Sequence, residues 1–505
     1  MQTTDYKKLK SGTDIRGVAV QTAEHEVELT DRAVYDLTGG FCVWLKENGV
    51  EAGARVAVGH DSRISAERIK RQVIAALRDF GFNAVDCGLA STPAMFMTTV
   101  DFDCRAAVQI TASHHPFDRN GLKFFTVRGG ADSGDLDAII ENAADLPAPD
   151  CAKGGTETAD YMSVYAARLR KMICDGVAAE DRDHPLKGYH ILVDAGNGVG
   201  GFYASKVLEP LGADISGSQF LEPDGMFPNH APNPENKDAM ASVSAATVRA
   251  KADLGVIFDT DVDRASCVDA SGKEINRNRL VALAALIALE GNPGGTVVTD
   301  SVTSTGLTDF INCTLSGVHY RYRRGYRNVI NKQLELNENG VNCPLAIETS
   351  GHAAFRDNFY LDDGAYLITK IIIKTAQMGR EGKSLNSLIA SLKDPLEATE
   401  LRLKINTEQF KSYGNSVIAQ IEQLSEARED WRPADDNREG VRVFLDAPDC
   451  RGWFLLRLSV HDPIMPLNIE SDVPGGIKKI AKQLYEALRS CEKLELTVLE
   501  AFLNS

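Results

Sequence analysis

Leu254-Gly255-Val256-Ile257-Phe258-Asp259-Thr260-Asp261-Val262-Asp263-Arg264 runs a short, mainly apolar segment directly into three carboxylates at alternate positions. An apolar run of this length followed by polar residues reads as a buried strand that ends in a loop. On an extended chain Asp259, Asp261 and Asp263 would share one face and repel one another. They converge on a hard cation such as Mg²⁺ only if the chain curls around it. A calcium-binding helix-loop-helix needs Gly at the sixth loop position and Glu at the twelfth, where Arg264 and Ala270 stand, so that reading fails. A solvated acidic loop is the remaining alternative.

The same pattern recurs on both sides. Val56-Ala57-Val58-Gly59-His60-Asp61, Ile191-Leu192-Val193-Asp194 and Thr296-Val297-Val298-Thr299-Asp300 each look like the buried first strand of a βαβ unit. A second apolar strand follows in each block: Ala107–Ile110 into Thr111-Ala112-Ser113, Gly255–Phe258 into Asp259, and Leu345–Ile347 into Glu348. The spacings differ, so the repetition is topological. In open parallel α/β sheets ligands bind beyond the carboxyl ends of strands, and three such ends could build a composite site. Composition and pattern place the blocks at 1–157, 158–277 and 278–396. A C-terminal region of different character, 397–505, has an alternating stretch at Leu401–Ile405, a helix to about Ala427, two β-rich runs and a last helix over Gly476–Ser490.

The bulk properties exclude several classes. The chain has 505 residues, 43% hydrophobic and 25% charged, an ordinary globular composition for roughly three or four domains. Its longest apolar run, Leu280–Leu289, is half of the roughly 20 residues that a spanning helix needs. The segment Met1–Asp14 has no apolar core or small-residue cleavage site. Ten cysteines are scattered without a CxxC pair, which predicts reduced, mostly buried thiols in a cytoplasmic protein. A net charge of −16 argues against nucleic acid as a partner.

Three further stretches carry candidate chemistry. In Thr111-Ala112-Ser113-His114-His115-Pro116, followed by Asn120-Gly121-Leu122-Lys123, a serine just past a strand is placed to be an exposed nucleophile or phosphate carrier. No G-x-S-x-G elbow surrounds it, which disfavours a hydrolase triad; on residue types alone a turn with satisfied hydroxyls is the default. In Ile347-Glu348-Thr349-Ser350-Gly351-His352, Glu348 and Ser350 could hydrogen-bond vicinal hydroxyls of a sugar, although an ordinary polar loop explains it equally well. Arg321, Arg323, Arg324 and Arg327, and the stretch Arg457-Leu458-Ser459-Val460-His461-Asp462-Pro463, offer guanidinium forks and a hydroxyl to a phosphate monoester. A solvated face is the alternative for half of these arginines. Gly196, Gly198 and Gly201 satisfy G-x-G-x-x-G after a strand, but no strand ending in an acidic residue follows about 20 positions later. The glycines read as a tight strand-to-helix turn rather than a dinucleotide site.

In this order the motifs resemble those of the α-D-phosphohexomutases, the phosphomannomutase/phosphoglucomutase superfamily, over essentially the whole chain. The matching pieces are Asp14–Gly17, Asp61-Ser62-Arg63, Thr111–Pro116 with Lys123, Asp194–Gly198, Pro228-Asn229-His230 with Pro232–Asn236, Asp259–Arg264, Gly325-Tyr326-Arg327, Glu348–His352 and Arg457–Pro463. The resemblance implies three topologically similar mixed α/β domains and a smaller α+β C-terminal domain around a central cleft. It implies a phosphoserine at Ser113 that interconverts hexose 1-phosphate and hexose 6-phosphate, of mannose or glucose, through a hexose-1,6-bisphosphate that also serves as activator. Mg²⁺ would be held by Ser113, Asp259, Asp261 and Asp263. Lys123, Arg16 and His114 would serve catalysis, and Glu348, Ser350, His352, Arg264, Tyr326, Arg327, Arg457, Ser459 and His461 would bind substrate. A monomer or homodimer without membrane partner is expected.

Departures from the family pattern are specific. Thr260 and Val262 replace two glycines of the metal loop, which predicts a loop backbone that avoids positive φ. Ile347 replaces a glycine before the sugar loop. Val460, His461 and Asp462 replace Asn, Thr and Glu in the phosphate loop, so an imidazole could make phosphate affinity depend on pH. A hexose-1,6-bisphosphate synthase, a phosphoglucosamine mutase, a phosphatase using Asp259 or Asp261, and a non-catalytic sugar-phosphate-binding protein are the alternatives.

Overall fold

The computed structural model describes residues 5–459 and 462–505. The chain forms two compact units. One runs to Ile287 and regains the chain at Ser350–Ile389; the other comprises Ala288–Thr349 and Ala390–Ser505.

In the first unit the strand Arg55–His60 pairs in parallel with Asn83–Leu89 on one side and Ala106–Ile110 on the other. The chain then reverses: Ala106–Ile110 is antiparallel to Arg119–Thr126, which is antiparallel to Asp14–Val18. A second sheet repeats the idea. Leu254–Phe258 is parallel to Ile191–Asp194 and antiparallel to Ala265–Asp269. All five residues of Ala106–Ile110 and of Leu254–Phe258 are buried, which explains why their sequences show no alternation and are apolar but for Gln109, whose amide donates to the Ala90 carbonyl at 2.8 Å. The sequence suggests simple βαβ units; the structure adds an antiparallel return strand after each second strand. The phosphoserine-like and acidic loops are therefore the reversals of two hairpins, Ile110 being paired with Leu122 and Phe258 with Ala265.

Two helix starts are packed against the acidic loop. Helix Thr92–Asp101 is capped by Ser91, whose side chain accepts from the Ala94 amide. Helix Gly364–Arg380 is capped by Asp363, which accepts from the Tyr366 amide and, 2.6 Å away, from the Tyr165 hydroxyl. The amide of Gly364 donates to the Val262 carbonyl at 3.0 Å. A Cβ at Gly364 would lie 2.7 Å from the backbone of Arg264, so a glycine is what lets this helix abut the loop.

In the second unit Thr296–Thr299 is parallel to both Val318–Arg321 and Leu345–Ile347. The C-terminal five-stranded sheet, in the order Glu397–Lys404, Ile464–Ser471, Gly452–Leu456, Val441–Leu445, Trp431–Pro433, is antiparallel throughout. Helices Phe410–Ala427 and Gly476–Leu488 contribute Val417, Ile421, Ile480 and Leu484 to its core. The helix ending this region is not the last one: Thr497–Asn504 forms another, with Leu499 in the same core. Three α/β domains and a fourth sheet domain are thus present. Among the described residues no helix is long and apolar enough to cross a membrane.

Candidate active site

Ser113 sits at the reversal after Ala106–Ile110 with φ 52°, a left-handed backbone uncommon outside glycine. Its conformation is held from behind by Arg63, whose side chain is fully buried. Arg63 Nε donates to Asp61 at 3.1 Å, Nη1 to the carbonyls of Pro116 at 2.6 Å and Arg119 at 2.9 Å, and Nη2 to those of Ser113 and His115. All five guanidinium protons are thereby used. Asp61 also accepts from the Thr111 hydroxyl at 2.7 Å, and Thr111 Oγ1 accepts from the Ser113 amide at 2.8 Å. A Cβ at Gly121 would lie 2.2 Å from the Ile15 carbonyl oxygen and 2.7 Å from that of Thr111, so this glycine lets the loop lie flat against its neighbours.

The Ser113 side chain is buried, at 4% residue exposure, and not exposed as the sequence suggests. Charged groups close over it. Its hydroxyl donates to Asp259 at 3.3 Å, accepts from Arg264 Nη2 at 3.2 Å and lies 3.3 Å from His114 Nδ1. Arg264 Nη2 donates to the same His114 nitrogen at 2.6 Å. That contact requires a lone pair on Nδ1. The Arg264 charge, burial and His115 together hold His114 far below the ordinary histidine range. His115 is lowered to about 3 by burial and by Arg16, Arg63 and Arg119.

The acidic loop curls as its charges require. One oxygen from each of Asp259, Asp261 and Asp263 lies within 4.8 Å of the others. The curl is made at Val262, with φ 66°. The expectation that this loop avoids positive φ is therefore wrong: a β-branched residue occupies the left-handed region, held there by the Gly364 amide on its carbonyl and by complete burial of its side chain. Lys123 Nζ donates to Asp263 Oδ2 at 2.6 Å and Asp261 Oδ2 at 3.3 Å; Arg264 Nε donates to Asp259 at 3.0 Å. These two cations do not balance three carboxylates. Asp259 is accordingly pushed well above its ordinary value by burial and by Asp263 and Asp261. Burial works against the charge of Asp263 too, but Lys123, His352 and Arg264 overcome it and hold that group low. Asp261 Oδ1 and Asp263 Oδ1 are buried without a hydrogen-bond donor. Two orphaned carboxylate oxygens beside a third carboxylate fit a hard divalent cation with oxygen ligands.

Arg16, on Asp14–Val18, lies opposite Gly121 and donates to Asp14 at 2.8 Å; its charge reaches His114 and His115. Ser350 and His352 also belong to the first unit. His352 Nδ1 is 3.2 Å from Asp362 and 4.0 Å from Asp263, and these carboxylates raise it against the effect of burial. Ser350 Oγ is buried without a partner.

In the second unit Glu348 accepts from the Gly325 amide at 2.6 Å, at the start of helix Tyr326–Glu338, where a carboxylate is favoured. Arg321 is structural: it donates to Thr303 at 3.0 Å and Thr308 at 2.7 Å and pairs with Asp436. Arg323 donates to the Arg438 carbonyl. Arg327 and Arg457, by contrast, each bury an Nε–H with no acceptor, and burial lowers Arg457. The Ser459 amide is tied to the Ile464 carbonyl at 3.0 Å and its hydroxyl accepts from the Asp462 amide at 3.3 Å. His461 lies outside the described residues.

Some contributors were not singled out from the sequence. Arg63 is one as to its role, since the matching piece Asp61-Ser62-Arg63 names it and assigns it none. Thr92 donates its hydroxyl to Asp261 and its amide to the Asp261 carbonyl at 2.9 Å, with no sequence signal beyond a helix start. Asp362 is a third, marked only by the doubled Asp362-Asp363.

The phosphoglucomutase/phosphomannomutase alpha/beta/alpha domains I, II and III match residues 7–147, 164–272 and 276–395 in sequence. A phosphoglucomutase of Neisseria gonorrhoeae is 28% identical over 94% of this chain and 96% of its own. A phosphomannomutase/phosphoglucomutase of Pseudomonas aeruginosa is 28% identical over 95% of each. Among solved structures, a phosphoglucomutase/phosphomannomutase family protein from Burkholderia thailandensis superposes with a TM-score of 0.78 at 25% identity, covering 96% of this chain and 98% of the other. With three consecutive domains in register and near-complete mutual coverage, the chain belongs to the phosphoglucomutase/phosphomannomutase family of α-D-phosphohexomutases.

Proposed function

We propose that this enzyme interconverts hexose 1-phosphate and hexose 6-phosphate, of glucose or mannose, by way of a phosphorylated Ser113 and a hexose-1,6-bisphosphate. The observation that carries the reading is the setting of Ser113 Oγ, between Arg264 at 3.2 Å and Asp259 at 3.3 Å, beside carboxylate oxygens with no donor. Ser113 Oγ carries the phosphoryl group; its P–O bond breaks as a sugar hydroxyl forms a new one, and the bisphosphate, turned end for end, returns its other phosphoryl group to Ser113. Asp259, Asp261, Asp263 and Ser113 would hold Mg²⁺, which when bound would neutralise charge on the transferring group.

Lys123 and Arg16 stabilise charge at the attacking hydroxyl; Lys123 donates to Asp261 and Asp263 as an ammonium, and a divalent cation on those carboxylates would favour its neutral amine, the form that can take up the proton this hydroxyl loses. His114, kept neutral by Arg264, offers Ser113 Oγ an uncharged neighbour. Burial of Ser113 excludes water, which otherwise competes for the phosphoryl group. Glu348, Ser350 and His352 are assigned to sugar hydroxyls, and Tyr326, Arg327, Arg457, Ser459 and His461 to the non-reacting phosphate, with the unpaired Nε–H groups of Arg327 and Arg457 supporting this. The division into domains at 1–157, 158–277, 278–396 and 397–505, a cytoplasmic location, consistent with ten unpaired thiols, activation by hexose-1,6-bisphosphate and a monomeric or dimeric state belong to the same reading.

³¹P NMR of the protein with Mg²⁺, glucose 1-phosphate or mannose 1-phosphate and catalytic glucose 1,6-bisphosphate tests it. Appearance of the 6-phosphate is expected. Accumulating bisphosphate would indicate a synthase, net release of inorganic phosphate a phosphatase, and turnover of glucosamine phosphates alone an amino-sugar mutase.

A further inference from the structure

The glycine turn after Ile191–Asp194 and the segment Pro228–Asn236 are sequence motifs to which the reaction above gives no part. They meet at His230, whose side chain is 5% exposed. Its Nε2 lies 3.1 and 3.0 Å from the two oxygens of Asp194, and its Nδ1 lies 2.9 Å from the Ala231 carbonyl oxygen. Both ring nitrogens face acceptors, so both donate and the ring is an imidazolium.

Asp194 is completely buried and fixed by the Gly196 amide at 2.9 Å and Gln219 Nε2 at 2.6 Å. Gly196, with φ 52°, makes the approach possible. A Cβ there would lie 2.9 Å from Pro232 Cβ and 3.3 Å from His230 Cε1. Asn229 Nδ2 donates to Asn197 Oδ1 at 2.8 Å and ties the same segment to the same turn. The next turn glycine faces the metal loop: a Cβ at Gly198 would lie 2.6 Å from the Thr260 carbonyl oxygen.

The anchored segment ends against a residue of the transfer centre. Arg264 Nη1 lies 3.4 Å from Asn233 Oδ1 and 3.8 Å from the Glu235 carboxylate. The far side of that guanidinium donates to Asp259 and Ser113. We infer that the His230–Asp194 ion pair is a positioning device: it fixes the segment Asn229–Asn236, whose Asn233 and Glu235 in turn aim Arg264 at Ser113 Oγ. The inference rests on the mutase reading for its kinetic consequence and on geometry alone for the rest.

Asp194 is the charged group facing the ring. From the neighbouring segment comes the edge of the Phe220 ring, 5.3 Å between centroids, and from the glycine turn only backbone. Burial opposes the imidazolium, but Asp194 outweighs it and raises His230 above the ordinary histidine range. A raised folded-state value means that the anchor is complete below about pH 6.5 and is lost as pH rises through the folded value.

On ¹⁵N-labelled protein near neutrality both His230 ring nitrogens are expected to be protonated. His230→Gln is expected to shift the Arg264 Nε–H resonance, identified by its loss in Arg264→Lys. Both readouts are independent of turnover, so a wild-type protein that fails to isomerise hexose phosphates would sink the mutase reading and leave these to decide the positioning. Kinetically, His230→Gln and Asn233→Ala should each lower kcat about tenfold with KM within about twofold, as expected of a misaimed group. The double variant should fall no more than about twofold below the weaker single one. The wild-type advantage over His230→Gln should shrink as pH rises through the imidazolium's titration. A singly protonated ring, an unmoved Arg264 signal, a change confined to KM, or full additivity near one-hundredfold would each overturn the inference. If His230→Gln does not fold, Asn233→Ala supplies the resonance and kinetic arms by itself.

Discussion

In the first unit Asp261 and Asp263 bury carboxylate oxygens that no donor reaches, whereas in the second Arg327 and Arg457 bury Nε–H groups that no acceptor reaches. An unsatisfied buried polar group costs roughly 1–3 kcal/mol, so each region keeps a debt that its own fold does not settle. For these four groups the debts are of opposite sign. The carboxylate oxygens of Asp261 and Asp263 would suit a cation, and the Nε–H groups of Arg327 and Arg457 an anion. Elsewhere the same residue types are fully engaged: Arg63 uses every donor, and Arg321 is spent on Thr303, Thr308 and Asp436. Arg442 also buries an Nε–H without a partner while its other nitrogens donate to the Ser301 and Thr303 carbonyls, so an unpaired Nε–H fits the phosphate role proposed for Arg327 and Arg457 but does not by itself mark it.

The sharpest way to break this comparison is at its centre. Ser113→Ala removes the phosphoryl carrier and should abolish mutase turnover, by on the order of 10⁴-fold or more. Intact-mass measurement should show no phosphorylated form. Turnover unchanged in Ser113→Ala would show that Ser113 does not carry the phosphoryl group. Arg457→Ala, in contrast, should act on affinity. A hydrogen bond to a charged group contributes about 1.5–3 kcal/mol, so the KM for hexose phosphate should rise roughly 10- to 150-fold, with a smaller effect on kcat. A larger fall in kcat than rise in KM would place Arg457 with the reacting phosphate and dissolve the distinction between the two regions.

Metal removal sharpens the comparison without mutation. A cation bound at one hundred times its Kd stabilises the site that holds it by about 2.7 kcal/mol. Chelation should speed amide exchange around Asp259–Arg264 and the start of helix Gly364–Arg380, and leave Thr296–Thr299 and Leu345–Ile347 unchanged. Asp261→Asn should erase that difference. Equal loosening of both units would show that the orphaned oxygens are not where the cation binds.

How much of this was legible in the sequence depends on distance along the chain. Apolar strands that run into Ser113, Asp259 and Glu348 are local patterns, and the strands are found where those patterns put them. The convergence of Ser113 with Asp259 and of Lys123 with Asp263 spans separations of 146 and 140 residues, and was carried only by family resemblance. The return strands Arg119–Thr126 and Ala265–Asp269 are not marked in the sequence because both are buried on both faces, which removes the alternation that usually signals an antiparallel strand. Arg63 has no role legible in the sequence, because four of its five acceptors are backbone carbonyls 50 to 56 residues away. Thr497–Asn504 is a short segment after what reads as a terminal helix, and its Leu499 acquires meaning only against the sheet.

Val262 is where local reading and structure part most clearly, and it yields the smallest but most specific prediction. A non-glycine residue in the left-handed region costs roughly 1–2 kcal/mol, and glycine there costs no such strain. Truncation to Ala gives up buried methyl groups, about 1.5 kcal/mol, and keeps the strain. Truncation to Gly gives up slightly more surface and sheds the strain. At an ordinary buried strand position such as Val443, in Val441–Leu445 of the second unit, Gly should melt below Ala by roughly 0.5–1 kcal/mol. At Val262 the order should invert or vanish, with Val262→Gly unfolding no lower than Val262→Ala. What the valine adds over glycine is its buried side chain, which seals the loop from water; the carbonyl that accepts from the Gly364 amide is backbone and stays in either variant. Val262→Gly should therefore loosen the metal site even where it does not lower the melting temperature, read as a weaker Mg²⁺ affinity in the glycine variant than in the alanine one.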